Sequence, residues 1–141
     1  MQVQAVTLFE GSSKKSKELH FPQGLPAFET FKEFFIVSNE KEAPFLWLQS
    51  KKQASLAFVT IDPFLVLADY LPDISDDDVS LLKIENEEDV LILSIVNIAN
   101  QSSQEITANL LSPVVINWKR QLGKQVILQN HQKYSVRTKI L

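Results

Sequence analysis

Short apolar runs, each ended by turn-forming residues, constrain this chain more than any other feature. They are rich in aromatic and β-branched residues and cover residues 3–9, 19–21, 31–37, 45–49, 56–61, 90–98, 106–111, 114–118, 126–129 and 134–140. Runs of this kind are typical of β-strands. Several neighbouring runs are too closely spaced for helical crossovers, so the sheet should be mostly antiparallel. The pattern predicts an all-β fold, either a barrel or a sandwich, with one or two short helices.

Helix signals are few in this sequence. Ser75 is followed three residues later by Asp78 and then by apolar residues, which resembles a weak capping box. Asp76, Asp77 and Asp78 in a first turn would also suit the helix dipole. We therefore predict one or two helical turns after Ser75, and a further turn near residues 28–31.

Length and composition favour one domain spanning residues 1–141. The chain has 141 residues and no cysteine, which excludes disulfides and thiolate metal sites. The first twenty residues contain no apolar signal-peptide core. The longest strongly apolar stretch, residues 90–98, is about half the length of a membrane span. We expect a cytoplasmic protein that is monomeric on its own and does not enter a membrane.

The net charge of −3 conceals an uneven distribution. Residues 62–89 hold ten acidic residues and one lysine, a net charge of −9, whereas residues 90–141 hold six basic residues and one acid, a net charge of +5. A segment this acidic indicates either a basic partner or a solvated acidic face. The sequence alone leaves both interpretations open.

Acidic residues also raise the question of metal binding or acid/base catalysis. Asp73, Ser75 and Asp77 match the first ligand positions of an EF-hand, but the loop lacks the required Gly and the final Glu. Asp62, Asp69 and Asp73 are candidates for paired catalytic carboxylates, although nothing in the sequence places two of them at a catalytic separation. We expect no metal ion and no cofactor.

Other chemistries receive little support. Neither His20 nor His131 lies in a catalytic motif, and no nucleophile elbow or phosphate-binding glycine loop is present. We therefore expect a protein that is not an enzyme.

Direct RNA binding is the alternative function. Trp118 and Tyr134 would stack bases beside a basic patch. The basic residues concerned are Lys119, Arg120, Lys124, Lys133, Arg137 and Lys139. The acidic balance of the chain argues against this, and we expect no direct contact with nucleic acid. A small ligand- or RNA-binding barrel remains the alternative interpretation.

Several segments, taken in order, resemble the FliW family of flagellar assembly factors. The motif Phe-Pro-Gln-Gly-Leu-Pro-Ala-Phe-Glu at residues 21–29 is similar to the opening motif of that family, and residues 106–117 are the most specific match. Further matches lie at residues 44–50, 56–63, 70, 89–96, 123–128 and 134–137. Ala27 stands where the family usually has Gly, and Ala108 where Val is more usual.

The resemblance implies a small, mostly antiparallel, partly open β-barrel in the cytoplasm. It also implies that the protein is not an enzyme and binds newly made flagellin as a chaperone would. It also implies binding to the RNA-binding translational regulator CsrA, which relieves repression of flagellin mRNA. On that basis we expect the acidic segment to contact a basic face of CsrA. The residues concerned are Asp73, Asp76, Asp77, Asp78, Glu85, Glu87 and Glu88.

For flagellin we expect an apolar patch backed by a strand edge. Adjacent residues on a strand face opposite sides, so Phe34 and Phe35 cannot both enter one core, and the same holds for Leu46 and Trp47. The candidate flagellin anchors are Phe34 or Phe35, whichever faces away from the core, together with Leu46 and Trp47. The alternative is a strand buried on both faces.

Overall fold

The computed structural model describes residues 1–3, 14–15, 17–100 and 105–140, without the side chains of residues 14, 15, 99 and 100. Most of this part of the chain forms one sheet. Its ten strands are β1 (Lys14–Lys15), β2 (Leu19–His20), β3 (Glu33–Ser38), β4 (Leu46–Ser50), β5 (Ala57–Ile61), β6 (Val90–Asn100), β7 (Glu105–Ala108), β8 (Val114–Asn117), β9 (Leu122–Gln125) and β10 (Thr138–Lys139).

The sheet closes on itself to form a ring. Its strand order is β10-β7-β6-β5-β4-β3-β2-β9-β8, and β8 pairs in turn with the first half of β6. Every ladder is antiparallel except β2–β9, which holds the single parallel pair His20↔Leu122. The β5–β6 ladder is also short, with Thr60↔Ile95 and Ile61↔Ser94. Because these two ladders are short, the barrel is partly open. The prediction of an all-β, mostly antiparallel, partly open barrel is confirmed.

Strand β6 belongs to two parts of the fold. Residues 90–93 pair with β8 inside the ring, whereas residues 96–100 pair with β7, which carries β10 on its far side. Alternate side chains of β6 enter two different apolar clusters, because successive residues of a strand point to opposite faces. Leu91 and Leu93 face the inside of the ring, and Val90 and Ile92 face outward.

The inner cluster fills the ring. It contains Leu19, Phe21, Leu25, Phe34, Ile36, Leu48, Leu91, Leu93, Val114 and Ile116. The phenyl ring of Phe21 lies over Gly123, where an added Cβ would come within 2.5 Å of the ring carbons. Gly123 follows the residue that pairs with β2, so its lack of a side chain allows Phe21 to pack where the ring closes.

The outer cluster lies between the opposite face of the sheet and a covering layer. Its members include Ile61, Ile92, Val115, Tyr70 and Leu82. The covering layer is built from two short helices, α1 (Pro63–Val66) and α2 (Asp76–Leu81), and from the segment that ends in β10. Part of the outer face of the sheet is therefore buried, and part is left uncovered.

Both helices begin at a side-chain cap. Ser75 Oγ accepts a hydrogen bond from Asp78 N–H at 3.2 Å, so the predicted helix start after Ser75 is confirmed. Asp62 Oδ1 accepts one from Phe64 N–H at 2.9 Å, with Pro63 at the first helical position. The helix that begins at Pro63 is not predicted from the sequence, whereas the turn predicted near residues 28–31 is present as a hydrogen-bonded turn.

Some predicted strands are displaced or shorter. The strand predicted at 126–129 lies instead at Leu122–Gln125, and the strand predicted at 134–140 is reduced to Thr138–Lys139. Residues 90–98 are buried on both faces only as far as Ser94, because Asn97 and Ile98 are exposed. Apart from Val3, the strand predicted at residues 3–9 lies outside the described residues.

Candidate protein-binding surfaces

An apolar groove crosses the uncovered part of the outer face. Its floor is formed by Trp47 of β4, Val59 of β5, Val96 and Ile98 of β6, and Ile106 of β7. Phe45, together with residues 41–43, forms a wall, and the volume of the groove is about 390 Å³. A concave apolar surface of this size is typical of a binding site.

Strand alternation explains why these side chains meet. Leu46, Leu48, Phe58 and Ile95 pack toward the inner cluster, so their neighbours Trp47, Val59 and Val96 face outward. The ladders then place Trp47 opposite Val59, and Ile98 opposite Ile106. Four strands therefore contribute to one apolar floor, and Ile98 is 59% exposed there.

One rim of the groove is polar. Trp47 Nε1 donates a hydrogen bond to Glu42 Oε2 at 3.2 Å, which holds the indole at the wall. Lys41 is exposed beside it, and its ammonium group has no ion-pair partner in the part of the chain that the structure describes. The groove thus combines an apolar floor with a charged rim.

The four expected flagellin anchors lie in different environments in the structure. Phe34 is fully buried in the inner cluster against Phe21 and Phe58, so of the pair Phe34 and Phe35 it is the core residue and not an exposed anchor. Leu46 also packs toward the inner cluster. Phe35 is half-buried on the outer face but does not line the groove. Of the four, Trp47 alone lies in it.

Most of the expected acidic contact residues are solvent-accessible. Asp76 and Asp77 lie in the first turn of α2, while Glu85, Glu87 and Glu88 lie in the segment leading into β6, and all five are exposed. Glu85 forms an ion pair with Arg120 at 3.6 Å. We call these five residues the acidic surface.

Two of the expected acidic residues are engaged within the protein. Asp78 is buried and forms an ion pair with Lys124 of β9, so its carboxylate is engaged within the fold and is not presented on the surface. Asp73 Oδ1 lies 3.1 Å from the amino group of Met1 and also accepts a hydrogen bond from Gln129. Asp78 thus connects α2 with β9, and Asp73 connects residue 1 with residue 129.

Three of the side chains considered for metal binding or catalysis have other roles in the fold. Ser75 and Asp62 cap helices, and Asp73 faces the Met1 amino group. Burial raises the pKa of the Asp62 carboxyl above its ordinary value, and the hydrogen bond from Phe64 N–H opposes that shift. Among residues 1–3, 17–98 and 105–140, no three metal-ligating side chains form a cluster.

The two aromatic residues considered for RNA stacking already have partners. The ammonium group of Lys17 lies 4.8 Å from the ring centroid of Trp118, a cation–π distance. The ring of Tyr134 packs edge-on against Tyr70 at 4.7 Å, and its hydroxyl accepts a hydrogen bond from Leu71 N–H. Tyr70 donates to Leu110 C=O at 2.7 Å, and burial raises the pKa of its phenol. Each of the two rings therefore already has a partner among the described residues.

The fold and these surfaces define a small, mostly antiparallel β-barrel whose outer face is partly uncovered and apolar. The family model described as FliW protein matches residues 3–140 of the sequence. The chain therefore belongs to the FliW family of flagellar assembly factors. Among helices in the described residues, none is long and apolar enough to cross a membrane.

Curated relatives and a solved structure agree with this assignment. The chain is 39% identical over 123 residues to the flagellar assembly factor FliW of Leptospira biflexa, and the aligned region covers 87% of this chain and 80% of that protein. It is 40% identical over 127 residues to the flagellar assembly factor FliW of Borreliella burgdorferi, and the aligned region covers 90% of this chain and 95% of that protein. A crystal structure of a flagellar assembly factor FliW superposes with a TM-score of 0.78 at 34% identity, covering 96% of this chain and 90% of the other.

Proposed function

We propose that this protein acts in the cytoplasm by binding flagellin before export and by binding the translational regulator CsrA, whose repression of flagellin mRNA it antagonises. It does so by association and not by catalysis, and it is monomeric between partners. Membership of the flagellar assembly factor family supports this role. The observation that carries it is the presence of two chemically different surfaces, an apolar groove and an acidic surface, on one barrel.

The groove is the proposed flagellin surface. A chaperone for an unassembled filament subunit must cover apolar segments that later become buried in the filament. Trp47 and Ile98 supply apolar contact area beside a polar rim, and large aromatic residues often dominate the energy of such interfaces. This proposal keeps Trp47 from the sequence-based expectation and replaces Phe34, Phe35 and Leu46 with groove residues.

The acidic surface is the proposed CsrA contact. A protein that binds RNA needs a basic face, and exposed carboxylates attract such a face over several ångströms in a salt-dependent manner. Asp76, Asp77, Glu85, Glu87 and Glu88 supply that charge. Asp73 and Asp78 are excluded from the proposed contact because their carboxylates are engaged internally.

The test compares two variants that each remove two negative charges. Asp76→Asn with Asp77→Asn lowers the charge of the acidic surface, and Glu40→Gln with Asp69→Asn is the matched control, since all four side chains are exposed. Affinity for purified CsrA should fall several-fold at low salt for the first variant and remain unchanged for the second, with the difference shrinking at high salt. Equal affinities and equal salt slopes would remove this surface from the proposal.

A pulldown tests the coupling of the two partners. Tagged protein captured from cells before and after flagellin export is blocked should change its ratio of bound flagellin to bound CsrA. If the ratio does not respond to the amount of intracellular flagellin, the proposed link between export and translation is contradicted.

A further inference from the structure

We propose that flagellin docks as an extended segment, which adds a strand to the open side of β6 at residues 96–98 in the floor of the groove. This inference rests on the proposed function, because flagellin supplies the segment. It adds the conformation of that segment, the backbone with which it pairs and the side-chain pattern that it needs.

Two strands of the groove floor separate from each other within the groove. The β5–β6 ladder ends at the pair Thr60↔Ile95, and among the described residues no further pair joins the two strands on the groove side of it. Val59 of β5 lines one side of the groove, and Val96 and Ile98 of β6 line the other. The groove therefore lies over a gap between two strands and not over a continuous sheet.

The hydrogen bonds on the other side of β6 show which of its backbone groups face the gap. Asn109 N–H donates to Ile95 C=O at 3.0 Å, so the backbone groups of residue 95 point toward β7. The direction of these groups alternates along a strand, so those of Asn97, which pairs with Thr107 of β7, also point that way. The N–H and C=O of Ile98 consequently point into the gap.

The facing edge of β5 is open in the same way. Ser50 N–H donates to Leu56 C=O at 2.9 Å, which directs the backbone groups of residue 56 toward β4. By the same alternation, the N–H and C=O of Ala57 point into the gap. In the part of the chain that the structure describes, neither Ala57 nor Ile98 has a ladder partner on this side.

An extended segment satisfies these backbone groups, whereas a helix does not. Buried N–H and C=O groups are nearly always hydrogen-bonded, because an unpaired one is costly. A helix uses its own backbone groups internally, so it would exclude water from Ala57 and Ile98 without offering them partners. A strand added along residues 96–98 offers such partners, and strand addition is a recurrent mode of peptide recognition.

The neighbouring side chains set the pattern of the segment. Val96 and Ile98 project onto the groove face, whereas Asn97 projects onto the opposite face and is exposed there. Side chains on one face of neighbouring strands lie next to each other. The segment should therefore carry apolar residues at i and i+2, beside Val96 and Ile98, and a polar residue at i+1. A strand of roughly five residues, the common length in proteins, is long enough.

The rim of the groove adds a preference for negative charge. Lys41 is exposed in the wall of the groove, and its ammonium group has no ion-pair partner among the described residues. An acidic residue at one end of the added strand would lie near this ammonium group. Lys41→Gln should therefore weaken flagellin binding several-fold at low salt and less at high salt.

A pair of matched substitutions tests the location. Ile98 and Ile127 are 59% and 66% exposed, so an aspartate at either position should leave folding intact. The probe is purified monomeric flagellin. Ile98→Asp should reduce its affinity about tenfold or more, as expected for a central interface residue. Ile127→Asp, away from the groove lining, should have no effect.

Amide hydrogen exchange tests the backbone pairing. In protein labelled with ¹⁵N, the Ile98 N–H should exchange rapidly when the protein is free and about tenfold or more slowly when flagellin is bound. The Asn97 N–H, which points toward β7 within a ladder, should exchange slowly in both states and is the internal control. An Ile98 N–H that is already protected in the free protein, or that stays unprotected in the complex, would overturn the inference.

The carbon chemical shifts of ¹³C-labelled flagellin test the conformation. Extended shifts over roughly five residues at the contact, with the alternation given above, support the inference. Helical shifts at a contact that Ile98→Asp abolishes would overturn the added strand and leave the flagellin surface in place. Flagellin binding that is insensitive to Ile98→Asp would place flagellin elsewhere, and the absence of binding would contradict the proposed function on which the added strand rests.

Discussion

Asp78 of α2 and Lys124 of β9 form an ion pair between residues 46 positions apart in the sequence. Both side chains are largely shielded from water. Because α2 is short and lies in the layer that covers the outer cluster, this contact attaches the covering layer to the barrel. The same three-residue acidic run therefore contains two exposed carboxylates and one that is structural.

Removing Asp78 should destabilise the protein, whereas removing its neighbours should not. Asp78→Asn leaves the Lys124 ammonium without its counter-charge, and we expect a loss of about 1–3 kcal/mol in the free energy of unfolding. Asp76→Asn and Asp77→Asn should change it by less than about 0.5 kcal/mol. Urea denaturation of the three variants checks this, and a double-mutant cycle with Lys124→Ala isolates the pair. Equal effects at all three positions would contradict the assignment.

Phe34 and Phe35 should differ sharply when each is truncated. Phe34 is fully buried and contacts two other phenylalanine rings, so Phe34→Ala should cost about 3–5 kcal/mol. Phe35 is half-buried on the opposite face, and Phe35→Ala should cost clearly less. Thermal and chemical denaturation measure both values. A larger loss for Phe35→Ala would show that the strand faces had been assigned the wrong way round.

Ala27→Gly should stabilise the protein. Ala27 has a φ of 71°, a left-handed conformation that glycine adopts without the steric cost of a Cβ. We expect a gain of about 0.5–1 kcal/mol, in contrast to the usual effect of introducing glycine. Ala68→Gly is the control, since Ala68 is also exposed but does not have a positive φ, and it should destabilise by a similar amount. Equal changes in both variants would exclude backbone strain at Ala27.

The Asp62 carboxyl should make stability fall as pH rises through its titration. Burial raises its pKa in the folded protein above the ordinary value of 3.8, so between those two values the folded state holds the proton more often than the unfolded state does. The contribution of this carboxyl to the free energy of unfolding is therefore fully present below pH 3.8 and is lost as pH rises through the pKa of the folded state.

Two substitutions at Asp62 separate charge from capping. Asp62→Asn keeps a good capping residue for α1 and should flatten this part of the pH profile. Asp62→Ala also removes the charge but loses the hydrogen bond to Phe64 N–H, at a cost of about 1 kcal/mol. Denaturation midpoints measured from pH 3 to pH 7 distinguish them. An unchanged slope in Asp62→Asn would show that another group causes the pH dependence.

Local patterns predicted the strands and the α2 start well, because each depends on neighbouring residues. Ser75 caps α2 as its sequence context indicates. The apolar run at residues 126–129 predicts a strand, yet the side chain of Val126 enters the outer cluster from a segment that is not a strand. Apolar content alone does not distinguish a residue buried in a strand from one buried in an irregular segment.

The groove could not be found from the sequence because four strands contribute to it. The alternation of side chains along a strand places Phe34 and Phe35 on opposite faces of the sheet, and likewise Leu46 and Trp47. It does not show which face of the sheet other elements cover. That depends on where α1 and α2 pack, and α1 was not predicted as a helix. The one available signal was in β6, where Val96 and Ile98 alternate with Asn97 as in a half-exposed strand.

The parallel contact between β2 and β9 determines when the barrel can close during synthesis. His20 pairs with Leu122, so the ring remains incomplete until the chain beyond residue 122 has left the ribosome. Contacts this distant in sequence form slowly, because the intervening chain must first be brought together. Until then Phe21 has no Gly123 to pack against. A nascent chain halted before β9 should therefore be sensitive to protease and prone to aggregation, while the released protein is resistant.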